Sequence, residues 1–169
     1  MVPEEYFPIV TEEGVVTGKA SRTECHSGTF LLHPVVHLHV FNSGGELYLQ
    51  KRAMDKDIQP GKWDTSVGGH VDYGEETEDA LRREVREELG ITDFKPVFLR
   101  RYKFVSDREA ELVNSYYTLY DGDIQPDPVE ISEGKFWKIS EIEQQLGKNV
   151  FTPNFENEFF IVKPSLPLT

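Results

Sequence analysis

Apolar and polar residues alternate in two short stretches near the start of the chain, residues 6–10 and residues 15–19. Between them lies Glu12-Glu13-Gly14, a run of residues that suits a turn. Alternation with a period of two is typical of a strand with one buried face, and two such strands around a turn form a β-hairpin. The pattern therefore predicts an N-terminal hairpin over about residues 6–19.

The rest of the chain mixes strand and helix patterns. Residues 35–41 predict a strong strand, and a turn at 42–45 leads to its partner at 46–51. Further strands are predicted at 95–105, 111–120 and 136–137. Helices are predicted at 140–147 and 151–162, the second with Thr152-Pro153 as its start signal. This mixture predicts an α+β fold, an α/β/α sandwich with a mixed sheet between helices.

The strongest helical pattern covers residues 76–89. That stretch contains no Gly or Pro, and one apolar face repeats at helical spacing through Ala80, Leu81, Val85 and Leu89. Thr77 is the candidate N-terminal cap, and Gly90 follows as a stop signal. The sequence therefore predicts an amphipathic helix that ends at Leu89.

Three carboxylates gather on one side of this helix. Glu84, Glu87 and Glu88 stand at positions i, i+3 and i+4, which share a helical face. Hard cations such as Mg²⁺ bind oxygen ligands, commonly one or two carboxylates together with substrate phosphates. The cluster therefore indicates a Mg²⁺–diphosphate site. An ordinary acidic surface helix is the alternative, and its local balancing charges would be Arg82, Arg83 and Arg86.

The residues around the helix decide between these alternatives. Gly69 is followed by five residues and Glu75, and then by seven residues and Arg83-Glu84-Val85-Arg86-Glu87-Glu88-Leu89-Gly90-Ile91. At every defining position, residues 69–91 resemble the Nudix box, the signature of the Nudix (MutT-like) hydrolases. A motif match of this length is much stronger than the glutamate cluster alone.

The Nudix resemblance implies a fold, a reaction and residue roles. It implies a mixed sheet between helices, with the box as a loop–helix–loop, and hydrolysis of a diphosphate bond in a nucleoside-diphosphate-X or organic diphosphate. The implied metal ligands are Glu84, Glu87, Glu88 and the Gly69 carbonyl, with Mg²⁺ or Mn²⁺ as the ion. Glu75 would orient Arg83, while Gly69, Gly74 and Gly90 fit positive φ or close backbone approach. One of the three glutamates, or Glu111, would deprotonate water.

A second resemblance, from about residue 9 to about residue 120, is to the isopentenyl-diphosphate Δ-isomerase branch of the Nudix superfamily. Its landmarks are His26, His33, Leu47 to Arg52, Lys56, Pro60 to Trp63, Gly69-His70 and Glu109-Ala110-Glu111. The resemblance implies a divalent metal held by His26, His33, His70, Glu109 and Glu111. It also implies basic residues that grip a diphosphate, namely Arg22, Arg52, Lys56 and Arg83. Nitrogen ligands shift the metal preference from Mg²⁺ toward a transition metal such as Mn²⁺ or Zn²⁺.

The chain departs from the isomerases at one position. They carry a cysteine immediately before the glycine that precedes the box histidine, and this chain has Gly68 there. Cys25 cannot be aligned with that cysteine. Isomerases also typically lose part of the box, which is complete here. The residues therefore favour hydrolysis, with two alternatives left open: an isomerase that works without the cysteine, and a non-catalytic diphosphate-sensing domain.

Composition restricts the remaining choices. The 169 residues suit a single domain, residues 1–169, and no apolar run approaches the ~20 residues that span a bilayer. The acidic start of the chain lacks a signal-peptide pattern and Cys25 is the only cysteine, so we expect a cytoplasmic protein without internal disulfides. The formal charge of -12 argues against nucleic-acid and membrane partners. A small diphosphate is the expected partner, and a homodimer is compatible with the sequence.

Two groups of residues have less specific expectations. His37 and His39 lie on the strand at 35–41, and a histidine in such a place is most often a packed or surface residue. Substrate selectivity commonly depends on aromatic side chains, which can equally well belong to the core. The candidates by residue type are Trp63, Tyr73, Phe104, Tyr116, Tyr117 and Trp137.

Overall fold

A computed structural model describes residues 3–56 and 59–166. Its first element is the predicted hairpin, an antiparallel pair of β1 (Tyr6–Val10) and β2 (Val16–Ser21). A single helical turn, α1 (Arg22–Cys25), follows at once and was not predicted. It begins at Ser21, whose Oγ accepts a hydrogen bond from the Glu24 backbone N–H at 3.1 Å. Four residues are too few for a periodic pattern, so only the capping pair could have indicated this turn.

The second sheet contains the remaining strands. They are β3 (Leu32–Phe41), β4 (Leu47–Arg52), β5 (Trp63–Asp64), β6 (Val67–His70), β7 (Val97–Val105), β8 (Ala110–Leu119) and β9 (Ile131–Trp137). The main order is β5-β4-β3-β8-β7, with β6 added to β3 and β9 added to β4. β3 and β8 run parallel while the other pairs are antiparallel. The predicted mixed sheet is therefore confirmed.

β3 and β4 pair with each other only at one end and then pair with different strands. β3 and β4 are paired at Phe41 and Leu47, next to the turn that joins them. Further along, β3 pairs with β6 instead, from Val35 opposite His70 to Leu38 opposite Val67. β4 meanwhile pairs with β5 and β9. Residues of both β4 and β6 line the cleft that contains the candidate site.

Helices cover both faces of the sheet. The box helix α2 (Thr77–Leu89) buries its predicted apolar face against Val36, Leu38 and Val40 of β3. The opposite face of β3 packs through Phe41 against α3 (Ile139–Gln145) and α4 (Pro153–Val162). The predicted α/β/α sandwich is confirmed. Among the described helices, none has the length and apolar character that crossing a bilayer requires.

The helix ends test the predicted signals. Gly90 ends α2 in the left-handed region, with φ 69°, as predicted. Thr152 caps α4 as predicted, since its Oγ1 accepts from the Phe155 backbone N–H at 3.1 Å. The prediction of Thr77 as the cap of α2 was wrong. Glu76 occupies that position in extended conformation and makes no side-chain cap bond, so Thr77 is already helical.

The strands were predicted less accurately than the helix ends. β9 spans Ile131–Trp137 rather than 136–137 alone, because Ser132, Glu133 and Lys135 are exposed and Gly134 has no side chain, so these residues give no apolar signal. β5 and β6 were not predicted at all. β6 contains Gly68-Gly69, which have no side chains to create an alternating pattern, and its pairing with β3 is a tertiary contact.

Candidate active site

A cleft of about 850 Å³ opens between β4, β6 and the box helix. It is rich in charged side chains and brings together residues from distant parts of the sequence. Its lining includes the three box glutamates and Gly69, and also His26, His70, Glu109 and Glu111. Both groups of predicted metal ligands therefore contribute residues to one cleft.

The box glutamates enter the cleft beside a glycine strand. Glu84 lies so close to the Gly69 backbone that a Cβ at residue 69 would overlap its carboxylate. Glu88 lies one helical turn further on and accepts a hydrogen bond from Gln50 Nε2 at 2.8 Å. The same Gln50 nitrogen donates to the Ser66 carbonyl at 3.0 Å, which ties β4 to the segment before β6. Glu87 is the most exposed of the three, with 55% of its side chain accessible.

Burial disfavours the charged forms of these carboxylates. It raises the pKa of Glu88 well above its ordinary value, against the opposing effect of the Gln50 hydrogen bond. Burial also raises the pKa of Glu84, although Arg83 acts in the opposite direction. Glu84 and Glu88 share a hydrogen bond. A divalent cation among them would favour the ionised forms, so the donor set fits a hard cation such as Mg²⁺.

Arg83 is held by protein carboxylates. Its Nη1 donates to Glu84 Oε1 at 2.8 Å, and its Nη2 donates to the His70 carbonyl at 3.1 Å. Glu75 accepts from Nε at 2.8 Å and from Nη2 at 2.9 Å. The expected contact between Glu75 and Arg83 is present. The cleft lining does not include Arg83, so its position favours support of the box over contact with a substrate.

The other three basic residues with an expected diphosphate contact, Arg22, Arg52 and Lys56, all line the cleft. Arg22 also contacts Glu5 at 2.8 Å, and Arg52 approaches Asp64 at 3.8 Å. Lys56 contacts Glu130. Arg108, on the turn between β7 and β8, lines the same cleft. Sequence reasoning did not single it out, because an exposed arginine in a turn has no distinctive pattern.

A second cluster lies at the hairpin side of the cleft. His26, His33, His70 and Glu109 each offer one ligand atom, and these atoms lie within 4.8 Å of one another. His26 Nε2 is 3.0 Å from Glu109 Oε2 and 3.3 Å from His70 Nε2. Strand register assembles the set, since β3 pairs Val35 with His70 on one side and His33 with Glu111 on the other. These four residues could hold a metal ion.

The protonation of the histidines suits that role. Burial lowers the pKa of His70 to about 3, and burial also lowers the pKa of His33, so both rings are neutral near pH 7. His33 Nδ1 lies 2.9 Å from the Leu31 carbonyl, which fixes the proton on that nitrogen. Its other nitrogen, Nε2, is buried, makes no hydrogen bond and lies 4.0 Å from Glu109 Oε1. An unpaired imidazole nitrogen of this kind fits a metal ligand.

The two glutamates of β8 and its preceding turn differ in charge. Burial opposes ionisation of Glu109, but hydrogen bonds from His26 and Glu111 outweigh it and lower its pKa to about 2. Burial raises the pKa of Glu111, and its hydrogen bond with Glu109 raises it further. Glu111 therefore lies beside the four-residue cluster as a protonated neighbour. It is the one expected ligand outside the group whose ligand atoms lie within 4.8 Å.

A buried network beneath the cleft was missed by sequence reasoning. Glu158 of α4 accepts a hydrogen bond from His37 Nδ1 at 2.6 Å and from Ser115 Oγ at 2.9 Å, and it also contacts His39 and Tyr102. His37 additionally lines the cleft. The expectation for these two histidines was a packed or surface position, and it did not include this carboxylate, which lies 121 residues after His37.

The aromatic candidates are mostly structural. Phe104 alone of the six lines the cleft. Trp63 and Trp137 pack edge to face in the core, and Tyr117 packs in the same way against Phe41. Tyr116 packs against Phe98, and Tyr73 lies at a smaller depression of about 340 Å³ beside the hairpin. Cys25 is buried, and burial raises the pKa of its thiol to about 11, so it remains a protonated thiol.

Comparisons with known proteins agree on one family. The family model of the NUDIX domain matches residues 31–155. The isopentenyl-diphosphate Delta-isomerase of Escherichia coli O17:K52:H18 is 38% identical over 96 residues, which are 56% of this chain and 53% of the relative. The chain thus spans about half the length of the relatives it matches.

Solved structures share the architecture more completely. DR0079 from Deinococcus radiodurans superimposes with a TM-score of 0.81 and 25% identity, covering 94% of this chain and 99% of that chain. The MutT protein from Methanosarcina mazei Go1 gives a TM-score of 0.67 and 24% identity, covering 79% of this chain and 94% of that chain. These likenesses extend the shared fold beyond the box to nearly the whole described chain.

Proposed function

Because this chain belongs to the NUDIX domain family, we propose that it is a metal-dependent hydrolase that cleaves the diphosphate bond of a nucleoside-diphosphate-X or an organic diphosphate. One observation carries the proposal: the complete set of box carboxylates, Glu84, Glu87 and Glu88, faces a cleft that also contains basic side chains. Carboxylates for a cation and cations for phosphate oxygens are the two requirements of diphosphate binding.

The chain's own residues would divide the work as follows. Glu84, Glu87, Glu88 and the Gly69 carbonyl would hold Mg²⁺ or Mn²⁺. When bound, such an ion would neutralise the negative charge that develops on the phosphoryl oxygens. Water attacks one phosphorus, the bond from that phosphorus to the bridging oxygen breaks, and a carboxylate accepts the proton of the water. The candidates for that base are the three box glutamates and Glu111.

Basic side chains would position the substrate in an otherwise acidic molecule. The net charge is -12, so a diphosphate is repelled by the protein as a whole. Arg22, Arg52 and Lys56 supply positive charge inside the cleft itself. Arginine can form two parallel hydrogen bonds to one phosphate group, which favours a defined orientation.

A second divalent ion would be held by His26, His33, His70 and Glu109. Three imidazoles and a carboxylate favour a first-row transition metal over Mg²⁺. Glu111 lies next to this cluster and would lose its proton if it joined the ligand set. Both ions would then face the same cleft.

The relatives favour isomerisation of isopentenyl diphosphate as a second candidate, since the histidine cluster matches the branch to which they belong. Gly68 stands where those isomerases have their cysteine, and this weighs against it. Incubation with isopentenyl diphosphate distinguishes the two reactions. Released phosphate indicates hydrolysis, whereas dimethylallyl diphosphate indicates isomerisation.

The hydrolase proposal is tested with Glu87→Gln and Glu88→Gln. Both substitutions keep the side-chain size and remove the charge that would hold the cation. We expect Mg²⁺-dependent turnover to fall by at least about a hundredfold, in line with the loss of several kcal/mol of transition-state stabilisation. The substrate panel is nucleoside diphosphate sugars, dinucleoside polyphosphates, oxidised nucleotides and prenyl diphosphates.

Glu78→Gln is the matched control, because Glu78 lies on the same helix with 61% of its side chain exposed. It should leave turnover unchanged. Full activity in both Glu87→Gln and Glu88→Gln would contradict the mechanism. Diphosphate binding without any turnover across the panel would point instead to a diphosphate-sensing domain.

A further inference from the structure

The strongest feature outside the proposed machinery is the buried carboxylate of Glu158. This side chain is fully buried between α4 and the sheet. Its Oε1 accepts from His37 Nδ1 at 2.6 Å and from Tyr102, and its Oε2 accepts from Ser115 Oγ at 2.9 Å and from His39. Both oxygens are thus surrounded by donors, as an ionised carboxylate requires in an apolar interior.

An ionised carboxylate at this depth also requires a positive partner. His37 and His39 are the basic groups that contact it. Burial alone would lower the pKa of His37, but the charge and the hydrogen bond of Glu158 outweigh it and raise its pKa to about 9. His37 is therefore the positive member of the pair, and an imidazolium carries a proton on each of its two ring nitrogens.

Glu158 contacts Nδ1 of His37, and the second ring nitrogen, Nε2, lies beside Gly68 of the cleft lining. His37 lines the cleft and 12% of its side chain is accessible, whereas His39 has no accessible side-chain surface. His37 stands opposite Gly68 on the neighbouring strand, and a Cβ at residue 68 would lie 3.5 Å from His37 Nε2. The glycine leaves this edge of the ring uncovered.

Acidic side chains also line this cleft. Asp64 contributes favourable charge to His37, and Glu111 belongs to the same lining. A fixed N–H donor with a positive charge is the feature that an anionic oxygen would need to enter this part of the cleft. Glu158 fixes the orientation of the ring, so little entropy is lost when the donor binds.

We propose that His37 is a substrate-binding residue, whose Nε2–H donates a hydrogen bond to a phosphoryl oxygen of the bound diphosphate. Glu158 acts as the positioning residue that orients the imidazolium. This inference rests on the proposed function, because it requires a diphosphate in the cleft. It adds to the basic residues already named a donor from β3, beside Gly68 of the neighbouring strand.

His37 and His39 form a matched pair for the test, since both contact Glu158 and His37 is the one that lines the cleft. The probe is methylenediphosphonate with Mg²⁺, a diphosphate whose bridging oxygen is replaced by carbon so that it is not hydrolysed. Calorimetry should give a dissociation constant at least about tenfold weaker for His37→Gln than for the wild type. His39→Gln should stay within about twofold. If His39→Gln does not fold, Ser115→Ala takes its place as the control variant, because it removes a hydroxyl donor to the same Glu158 oxygen.

Histidine side-chain ¹⁵N NMR supplies a second measurement. The probe should shift the Nε2–H signal of His37 and leave that of His39 unchanged. Unchanged affinity in His37→Gln, or equal weakening in both variants, would overturn the inference. If the wild type binds and hydrolyses diphosphates and His37→Gln binds the probe as tightly, the inference about His37 is wrong while the proposed function stands. If the wild type neither binds the probe nor hydrolyses any diphosphate, the proposed function fails together with it.

Discussion

Arg83 and Glu75 are joined by two parallel hydrogen bonds, from Nε to Oε2 at 2.8 Å and from Nη2 to Oε1 at 2.9 Å. Glu75 also accepts from the Asp72 backbone N–H at 3.0 Å, and Arg83 Nη1 reaches Glu84. One guanidinium therefore fixes the loop before α2, the helix itself and a candidate metal ligand. The Glu75 hydrogen bonds above all, together with the contact to Glu84, raise the pKa of Arg83 against the opposing effect of burial, so the charge is permanent.

Arg83→Lys should lower both stability and turnover. Lysine keeps the charge but cannot make the two-pronged contact to Glu75, nor hold Glu84 at the same time. We expect a loss of about 1–2 kcal/mol in the free energy of unfolding and at least about a tenfold loss of Mg²⁺-dependent turnover. Urea unfolding and steady-state kinetics measure these. Arg86→Lys, on an exposed position of the same helix, is the control and should change neither.

Gly69→Ala should disable the box through Glu84. The added methyl group would overlap the Glu84 carboxylate, so that side chain must leave its place beside the β6 backbone. We expect weaker Mg²⁺ binding and at least about a tenfold drop in turnover, with secondary structure retained by circular dichroism. Gly18→Ala is a suitable comparison, because nothing lies within 4 Å of a Cβ at that position. Wild-type turnover in Gly69→Ala would show that the position of Glu84 is unimportant.

The histidine cluster should bind one divalent transition metal independently of the box. Co²⁺ titration followed by absorption spectroscopy should show two sites in the wild type, one of them with the spectrum of nitrogen ligands. His33→Asn removes the unpaired imidazole nitrogen and should abolish that spectrum while a box site remains. Glu88→Gln should have the opposite effect. Retention of the nitrogen-ligand spectrum in His33→Asn would mean that the cluster does not hold the ion.

The contact between His37 and Glu158 should make stability depend on alkaline pH. The folded pKa of His37 is about 9, above its ordinary value of 6.5, so its contribution is complete below pH 6.5 and disappears as pH rises through 9. At full strength the contribution is about 3 kcal/mol. The gap in free energy of unfolding between wild type and His37→Gln should therefore shrink between pH 6.5 and 10. Chemical unfolding measured across that range checks the prediction, and a constant gap would contradict it.

Stability should also fall in acid, for the opposite reason. Burial would raise the pKa of Glu158, but the charge of His37 and the hydrogen bonds of His37 and His39 hold it well below its ordinary range. Its contribution is present above the ordinary glutamate pKa and is lost as pH falls through the folded value. Glu158→Gln should remove this acid dependence, which unfolding curves between pH 2 and 5 would reveal. Glu143→Gln, at a half-exposed position on α3, should leave it in place.

Local patterns in the sequence were enough to predict the helix within residues 69–91, the Nudix box. The helix at 77–89, the left-handed Gly90 and the shared face of Glu84, Glu87 and Glu88 all follow from spacing within a few residues. Helical periodicity and glycine conformation are properties of neighbouring residues, so the chain alone determines them. The same holds for the N-terminal hairpin and for Thr152, which starts α4. The cap of α2 was not predicted correctly. Glu76 is not a residue type that typically caps a helix, and unlike Thr152 its side chain makes no capping hydrogen bond.

Tertiary structure alone decided which distant residues meet. The isomerase resemblance brought His26, His33, His70 and Glu109 together as a set, but their approach depends on the register of β3 with β6 and β8. No sequence pattern links Glu158 to His37. The glycines of β6 have no side chains, so the sequence shows no alternation that would predict this strand. Register is set by how a whole sheet packs against its helices, and a slip of one residue would turn every side chain to the other face. Such contacts are therefore a property of the folded chain and not of any short segment.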